Sequence, residues 1–184
     1  MVQLAQENDF HDMYDIYGYY VKTSTATFDI GIPSFDTFSS KMRCNMKEAP
    51  CFVYKDNEQL NGYAYASPYK AKSGYDWTRE LTIYLSPDHR AKGIGDQLYS
   101  NLIRLLKDQG YMKLMAAISY PNPHSEYFHA KHGFTQQVIF ENIAYKFDKA
   151  QQVAWWSLDL KQDTPFKPID YDYETRWMNK KNYK

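Results

Sequence analysis

The chain has 184 residues, 43% of them hydrophobic and 17% aromatic, so it can build one domain with a substantial core and is too apolar to be disordered. Lys+Arg and Asp+Glu each number 22, and the zero formal net charge excludes nucleic-acid binding by bulk electrostatics. Cys44 and Cys51 supply neither a disulfide framework nor a zinc set, and no apolar run is long enough to span a bilayer.

Met1-Val2-Gln3-Leu4 runs directly into a polar helix start, with no signal-peptide pattern. The expectation is a cytoplasmic protein with no metal, no membrane partner and no nucleic-acid partner. Residues 2–6 suggest a short strand. Asn8 or Asp9 can cap a first helix with apolar positions Phe10, Met13, Tyr14, Tyr17, Tyr20 and Val21. Residues 23–28 cluster β-branched side chains and read as irregular or extended. Ser34 can cap a second helix carrying Phe35, Phe38, Met42 and Met46, which Pro50 stops.

The period then changes. Residues 51–55 and 61–67 read as hairpin strands around an Asp56-Asn57 turn, residues 68–76 as a loop, and residues 77–85 as a longer strand. Ile94, Leu98, Leu102, Ile103, Leu105 and Leu106 form the stripe of a third helix, with Gly110 just past its end. A buried-type strand follows over 112–119, broken by Pro121-Asn122-Pro123, then a short helix over 125–131 ending at Gly133. Two more strands are expected over 134–147 and 153–160, joined by a turn over 147–152. The tail over 161–184 has no clear period and reads as an extension ordered by contact. The sum is mixed α/β with one βαβ element around the third helix.

Arg90-Ala91-Lys92-Gly93-Ile94-Gly95 lies between the longer strand and the third helix. A strand, a glycine-rich turn and a helix start make a phosphate cradle. The glycines let backbone approach an anion, the unpaired N–H groups and dipole of the helix start favour it, and Arg90 and Lys92 add positive charge. Read alone, the same six residues are equally a tight strand-to-helix turn. Glu80 interrupts an apolar strand, and alternation puts Glu80, Thr82 and Tyr84 on one face with Leu81, Ile83 and Leu85 on the other. That carboxylate reads as a proton acceptor lining a cavity, or as a solvated group on an edge strand. Lys70 and Lys72 give a local positive field suited to an anionic substrate, or are two solvated loop lysines.

Several segments in order then carry a resemblance. They are Thr23-Ser24-Thr25 with Thr27-Phe28, then Tyr75-Asp76-Trp77-Thr78, Glu80, Thr82, Tyr84 and Ser86-Pro87, the Arg-x-x-Gly-x-Gly turn, Pro121-Asn122 with His129 and Gly133-Phe134, and Trp156, Leu158 and Asp159. Over residues 2–160 the chain resembles the GNAT acetyltransferases, and within them the phosphinothricin acetyltransferase group. The resemblance implies the GNAT acyl-CoA N-acyltransferase fold, an α/β (α+β) domain over 1–160 with a mixed central sheet flanked by helices and splayed fourth and fifth strands. Residues 161–184 are a C-terminal aromatic and charged extension with no counterpart.

The resemblance further implies transfer of an acetyl group from acetyl-CoA to the primary amine of a small amino-acid-like acceptor, of the phosphinothricin, methionine sulfone or methionine sulfoximine type. It implies direct attack, with Glu80 and His129 catalytic. Coenzyme binding falls to Ile83, Tyr84, Leu85, Arg90, Ala91, Lys92, Gly93, Gly95, Asp96 and Asn122, and acceptor binding to Phe28, Lys70, Lys72, Tyr75, Thr82 and again Tyr84. A homodimer is implied as well, with a tail that could swap across it. Two departures touch the acceptor: the last turn lacks the family's Trp, and Lys72 stands where Arg is common and cannot offer its planar fork. Another amine (polyamine, aminoglycoside or protein) and a non-catalytic acyl-CoA-binding module stay open as alternatives.

Overall fold

The computed structural model describes residues 1–89, 93–160 and 168–181. The elements are β1 (Val2–Leu4), α1 (Phe10–Thr23), α2 (Phe35–Met46), β2 (Cys51–Asp56), β3 (Gln59–Pro68), β4 (Thr78–Leu85), α3 (Ile94–Gln109), β5 (Lys113–Tyr120), α4 (Pro123–Lys131), β6 (Thr135–Lys146), β7 (Lys149–Asp159) and α5 (Tyr173–Lys181). The seven strands form one sheet in the order β1-β2-β3-β4-β5-β7-β6. All neighbours are antiparallel except β4 and β5, the parallel pair that α3 connects.

Helix ends follow local chemistry. The Ser34 hydroxyl accepts the Thr37 N–H at 3.2 Å and starts α2. Gly93 opens α3 at φ 73° and Gly110 closes it at φ 100°, both left-handed positions where a side chain would be strained. Asn122 opens α4 by accepting the Ser125 N–H at 3.1 Å, with Pro123 in the first turn, where its missing N–H costs nothing.

The two faces of the sheet carry separate cores. Phe52, Ala64, Leu81, Leu114 and Trp156 pack with the α3 stripe (Leu98, Leu102, Leu105, Leu106) on one face. Val53, Tyr63, Tyr65 and Tyr84 pack with Phe10, Met13 and Val21 of α1 and Phe38 and Met42 of α2 on the other. Fully burying each of the Val, Leu, Phe and Met side chains among them stabilises the fold by about 1.5–3 kcal/mol.

Three expectations need correction. The last hairpin turns in two residues, Phe147 and Asp148, both at positive φ, and β7 begins at Lys149 rather than after a six-residue turn. The first hairpin likewise turns at Asn57 and Glu58 instead of Asp56-Asn57. The tail contains a helix, α5, whose Tyr173 and Trp177 are buried against the α3 face. Trp177 meets the Phe52 ring edge-on at 4.7 Å between centroids, and the Tyr173 hydroxyl donates to the Met46 carbonyl.

Candidate active site

β4 and β5 share only three rungs, Thr78 with Lys113, Arg79 with Leu114 and Glu80 with Met115. Beyond Glu80, β4 stays paired to β3 as far as Leu85 and β5 stays paired to β7 as far as Tyr120. Each arm is held by its other neighbour, so the sheet opens into a V with Glu80 at its apex. The Ser86 amide bonds the Asn61 carbonyl, which makes Gly62–Leu85 and Ala64–Ile83 the pairs without mutual hydrogen bonds. The peptide groups of Ile83 and Leu85 therefore face the open edge. Those of Tyr84 face β3, and the Tyr84 side chain, expected with both the coenzyme and the acceptor, lines the same cavity as Glu80. The Tyr20 hydroxyl already donates to the Leu85 carbonyl at 2.7 Å.

Two chambers occupy the V. One, of about 330 Å³, is lined by Glu80, Thr82 and Tyr84 of β4, by Phe28 and Asp29, and by Lys41 of α2. The other, of about 480 Å³, is lined by Tyr20, Leu85, Gly95, His124 and Phe128. They meet at shared walls formed by Ala26, Ile83, Asn122, Ser125 and His129. A Cβ on Gly95 would lie 3.3 Å from the Phe128 ring and 3.5 Å from a Leu85 methyl, so the glycine keeps this wall open. A carboxylate at the end of one chamber and a helix N-terminus at the end of the other are thus joined through a histidine.

Burial raises the Glu80 pKa above its ordinary value, against a smaller opposing pull from the Lys41 ammonium. His129 is 6% exposed. Its Nδ1 lies 2.8 Å from the Ser125 carbonyl, which can only accept, so Nδ1 carries the proton and Nε2 the lone pair. Tyr99, Phe128 and Phe134 present aromatic rings around the imidazole. Burial lowers its pKa to about 4, so it is neutral at pH 7. The Asp96 carboxylate accepts from Lys131 at 2.8 Å, and His132 Nε2 lies 3.1 Å away, which holds its pKa low and ties α3 to α4. That pairing offsets the charge a bare carboxylate would bring to the start of α3.

The roof over the glutamate chamber is the segment between α1 and α2. Lys146 of β6, only 3% exposed, donates to the carbonyls of Ser24 at 2.8 Å and Thr27 at 2.7 Å. Burial pulls its pKa down. The Ser119 hydroxyl donates to Thr25 Oγ1 at 2.7 Å, and the Tyr17 hydroxyl donates to the Asp29 carboxylate.

Phe28, Thr82, Glu80, Asn122, His129, Ile83, Leu85 and Gly95 all line one or both chambers. Arg90, Ala91 and Lys92 lie outside the described residues. Lys70, Lys72 and Tyr75 line neither chamber. The Lys70 ammonium instead sits over the rings of Tyr69 (5.1 Å) and Tyr75 (5.3 Å). Among the described residues, the cation that does reach the glutamate chamber is Lys41, which escaped sequence reading, as did Asp29, Tyr17 and Lys146. Lys41 lies between Phe38 and Met42 on α2, and nothing in that spacing reports which strand it faces. Tyr17 read simply as part of an apolar stripe.

Residues 2–155 match the family model for the acetyltransferase (GNAT) domain. The chain is 29% identical over 168 residues to a phosphinothricin N-acetyltransferase of Streptomyces viridochromogenes, covering 91% of this chain and 92% of that one. It is 28% identical over 113 residues to an L-methionine sulfoximine/L-methionine sulfone acetyltransferase of Salmonella typhimurium, covering 61% and 66%. Among solved structures it resembles a GNAT superfamily phosphinothricin acetyltransferase from Sinorhizobium meliloti in complex with AcCoA, with a TM-score of 0.86, 28% identity and coverage of 92% and 93%. A V-shaped opening in a mixed sheet, a glycine-rich helix start at one end of it and a glutamate at its apex agree with these matches: the chain belongs to the GNAT family of N-acetyltransferases and is phosphinothricin acetyltransferase-like within it.

Proposed function

We propose that this protein moves the acetyl group of acetyl-CoA to the primary amine of a small amino-acid-like acceptor of the phosphinothricin, methionine sulfone or methionine sulfoximine type. The observation that carries this reading is the pair of chambers meeting at His129, with Glu80 in one and Gly95 in the other. The Gly95 chamber fits the coenzyme: its wall is cleared of a Cβ, the open edge of β4 offers peptide groups, and a helix N-terminus stands at its end. Gly93, Gly95 and the peptide groups of Ile83 and Leu85 would hold the coenzyme, which supplies an activated acetyl thioester when bound.

The chain's own residues then do the proton work. Glu80 takes the proton of the incoming ammonium, and its burial keeps it basic enough to do so. The neutral His129 offers the Nε2 lone pair to the developing proton. Burial opposes a lasting positive charge on the ring, so a proton taken up at Nε2 passes on to the departing thiolate. Among the described residues no cysteine lines either chamber, which supports direct attack by the amine over a thioester on the protein.

A homodimer accompanies this reading. Val138, Phe140, Ile143, Tyr145 and Phe147 leave large apolar surfaces exposed along β6 and its turn, a patch that suits a second copy. Two free cysteines suit a cytoplasmic setting. The test is thiol release from acetyl-CoA across a panel of amines. Phosphinothricin or methionine sulfone should be turned over ahead of polyamines and aminoglycosides. Coenzyme binding without turnover of any amine would instead leave an acyl-CoA-binding module.

A further inference from the structure

A third cavity, of about 340 Å³, opens off the glutamate chamber beneath α2. The two share Tyr17, Asp29, Lys41 and Tyr65, which together form a doorway between them. Past the doorway the walls are Ile30, Pro33, Phe38 and Met42, a mainly apolar lining. The Tyr14 hydroxyl donates to the Pro33 carbonyl at 2.7 Å and fixes one side of this side chamber, while buried Phe38 and Met42 fix the other. The doorway carries one ammonium, Lys41, and one carboxylate, Asp29. They make no ion pair with each other among the described residues, and Asp29 is instead engaged by the Tyr17 hydroxyl.

We propose that this side chamber is the side-chain subsite for the acceptor and that Lys41 reads the acceptor's carboxylate. This rests on the acetyl-transfer reading and deepens it. A zwitterionic α-amino acid has three arms, and the site has three matching features. Its amine goes toward Glu80 at the apex of the V, its carboxylate toward Lys41 at the doorway, and its side chain into the space lined by Ile30, Pro33, Phe38 and Met42. An apolar tail gains by leaving water there, at roughly 25 cal/mol per Å² buried, whereas a charged tail would lose solvation against Phe38 and Met42. Among amino-acid-like acceptors the favoured ones are therefore those with neutral, medium or large side chains, so methionine sulfone should outrank phosphinothricin, whose charged phosphinate would have to enter the same space. The anion is recognised from α2, and Lys70 and Lys72 have no part in it.

Direct binding separates this proposal from the reaction. Titrations of L-leucine, L-alanine and L-leucinamide into the CoA-loaded protein, followed calorimetrically, would be run on the wild type, Lys41→Met and Thr37→Trp. Thr37 is an exposed residue of α2 that lines the side chamber, so a tryptophan there fills the space from the surface without disturbing the core. L-leucine should bind the wild type more tightly than L-alanine. Lys41→Met should weaken L-leucine at least tenfold and L-leucinamide less than twofold. Thr37→Trp should weaken L-leucine at least tenfold and L-alanine less than twofold. No binding of L-leucine to the wild type, or equal shifts for paired ligands in both variants, would overturn the proposal. The expected binding pattern without thiol release from acetyl-CoA would uphold the subsite and defeat the transferase reading.

Discussion

Glu80 and His129 are set apart by what surrounds them. Glu80 sits on the last rung shared by β4 and β5, half-buried, with Lys41 as the opposing charge. His129 is enclosed by aromatic rings and committed through Nδ1 to Ser125. The two environments displace their pKa values in opposite directions: Glu80 is raised from 4.5, while His129 is lowered from 6.5 to about 4. If Glu80 is the base, activity is present above its raised pKa and is lost as pH falls through it. His129, lowered to about 4, is still neutral as the raised Glu80 begins to take up its proton, so the onset of the acid limb belongs to the carboxylate. Glu80→Gln should lower kcat by about 10²-fold or more and abolish that limb, with the Michaelis constant for acetyl-CoA little changed. A pH–rate profile of both proteins checks this, and an unchanged profile removes Glu80 from the chemistry.

At the scale of elements, the site is a gap between two strands with a helix start beside it. In the proposed reading the coenzyme side depends on Gly95, because any side chain there projects toward Phe128 and Leu85. Gly95→Val should raise KM for acetyl-CoA at least tenfold while shifting the melting temperature by only a few degrees; steady-state kinetics and a thermal melt decide it. The elements themselves were largely legible. Ser34, Gly110, Pro50 and the α3 stripe punctuate the sequence through local chemistry, and the structure puts the boundaries within a few residues of them. What failed was also local. Phe147 and Asp148 adopt positive φ without a glycine or the common Asn-Gly pair, so the tight turn left no mark in the sequence. Tyr173 and Trp177 are four apart, a single helical contact in a short segment, too little to show a period.

The whole molecule is a sheet with different duties on its two faces. One face carries α3 and the tail helix, and the other carries α1, α2 and the roof of the glutamate chamber. The tail acts on stability. Trp177 packs on Phe52, and the Arg104 guanidinium lies 5.9 Å from its ring. Trp177→Ala should cost about 3–5 kcal/mol in urea unfolding and leave both Michaelis constants near wild type, because neither chamber touches that helix. Long-range contacts explain which site residues were readable. Glu80 stood out because it broke an apolar strand. Lys41, Asp29 and Lys146 did not, since their partners come from elsewhere in the fold: Lys146 reaches carbonyls 122 and 119 positions earlier in the chain.

That last reach ties two distant assembly events together. Side chains on a strand alternate between faces, so a slip of one residue in the β6–β7 ladder would swing the Lys146 ammonium away from Ser24 and Thr27. Correct alignment of the final hairpin therefore acts as proofreading for a segment laid down more than a hundred residues before it. A misaligned chain could keep its sheet and still lack a shaped ceiling over Glu80.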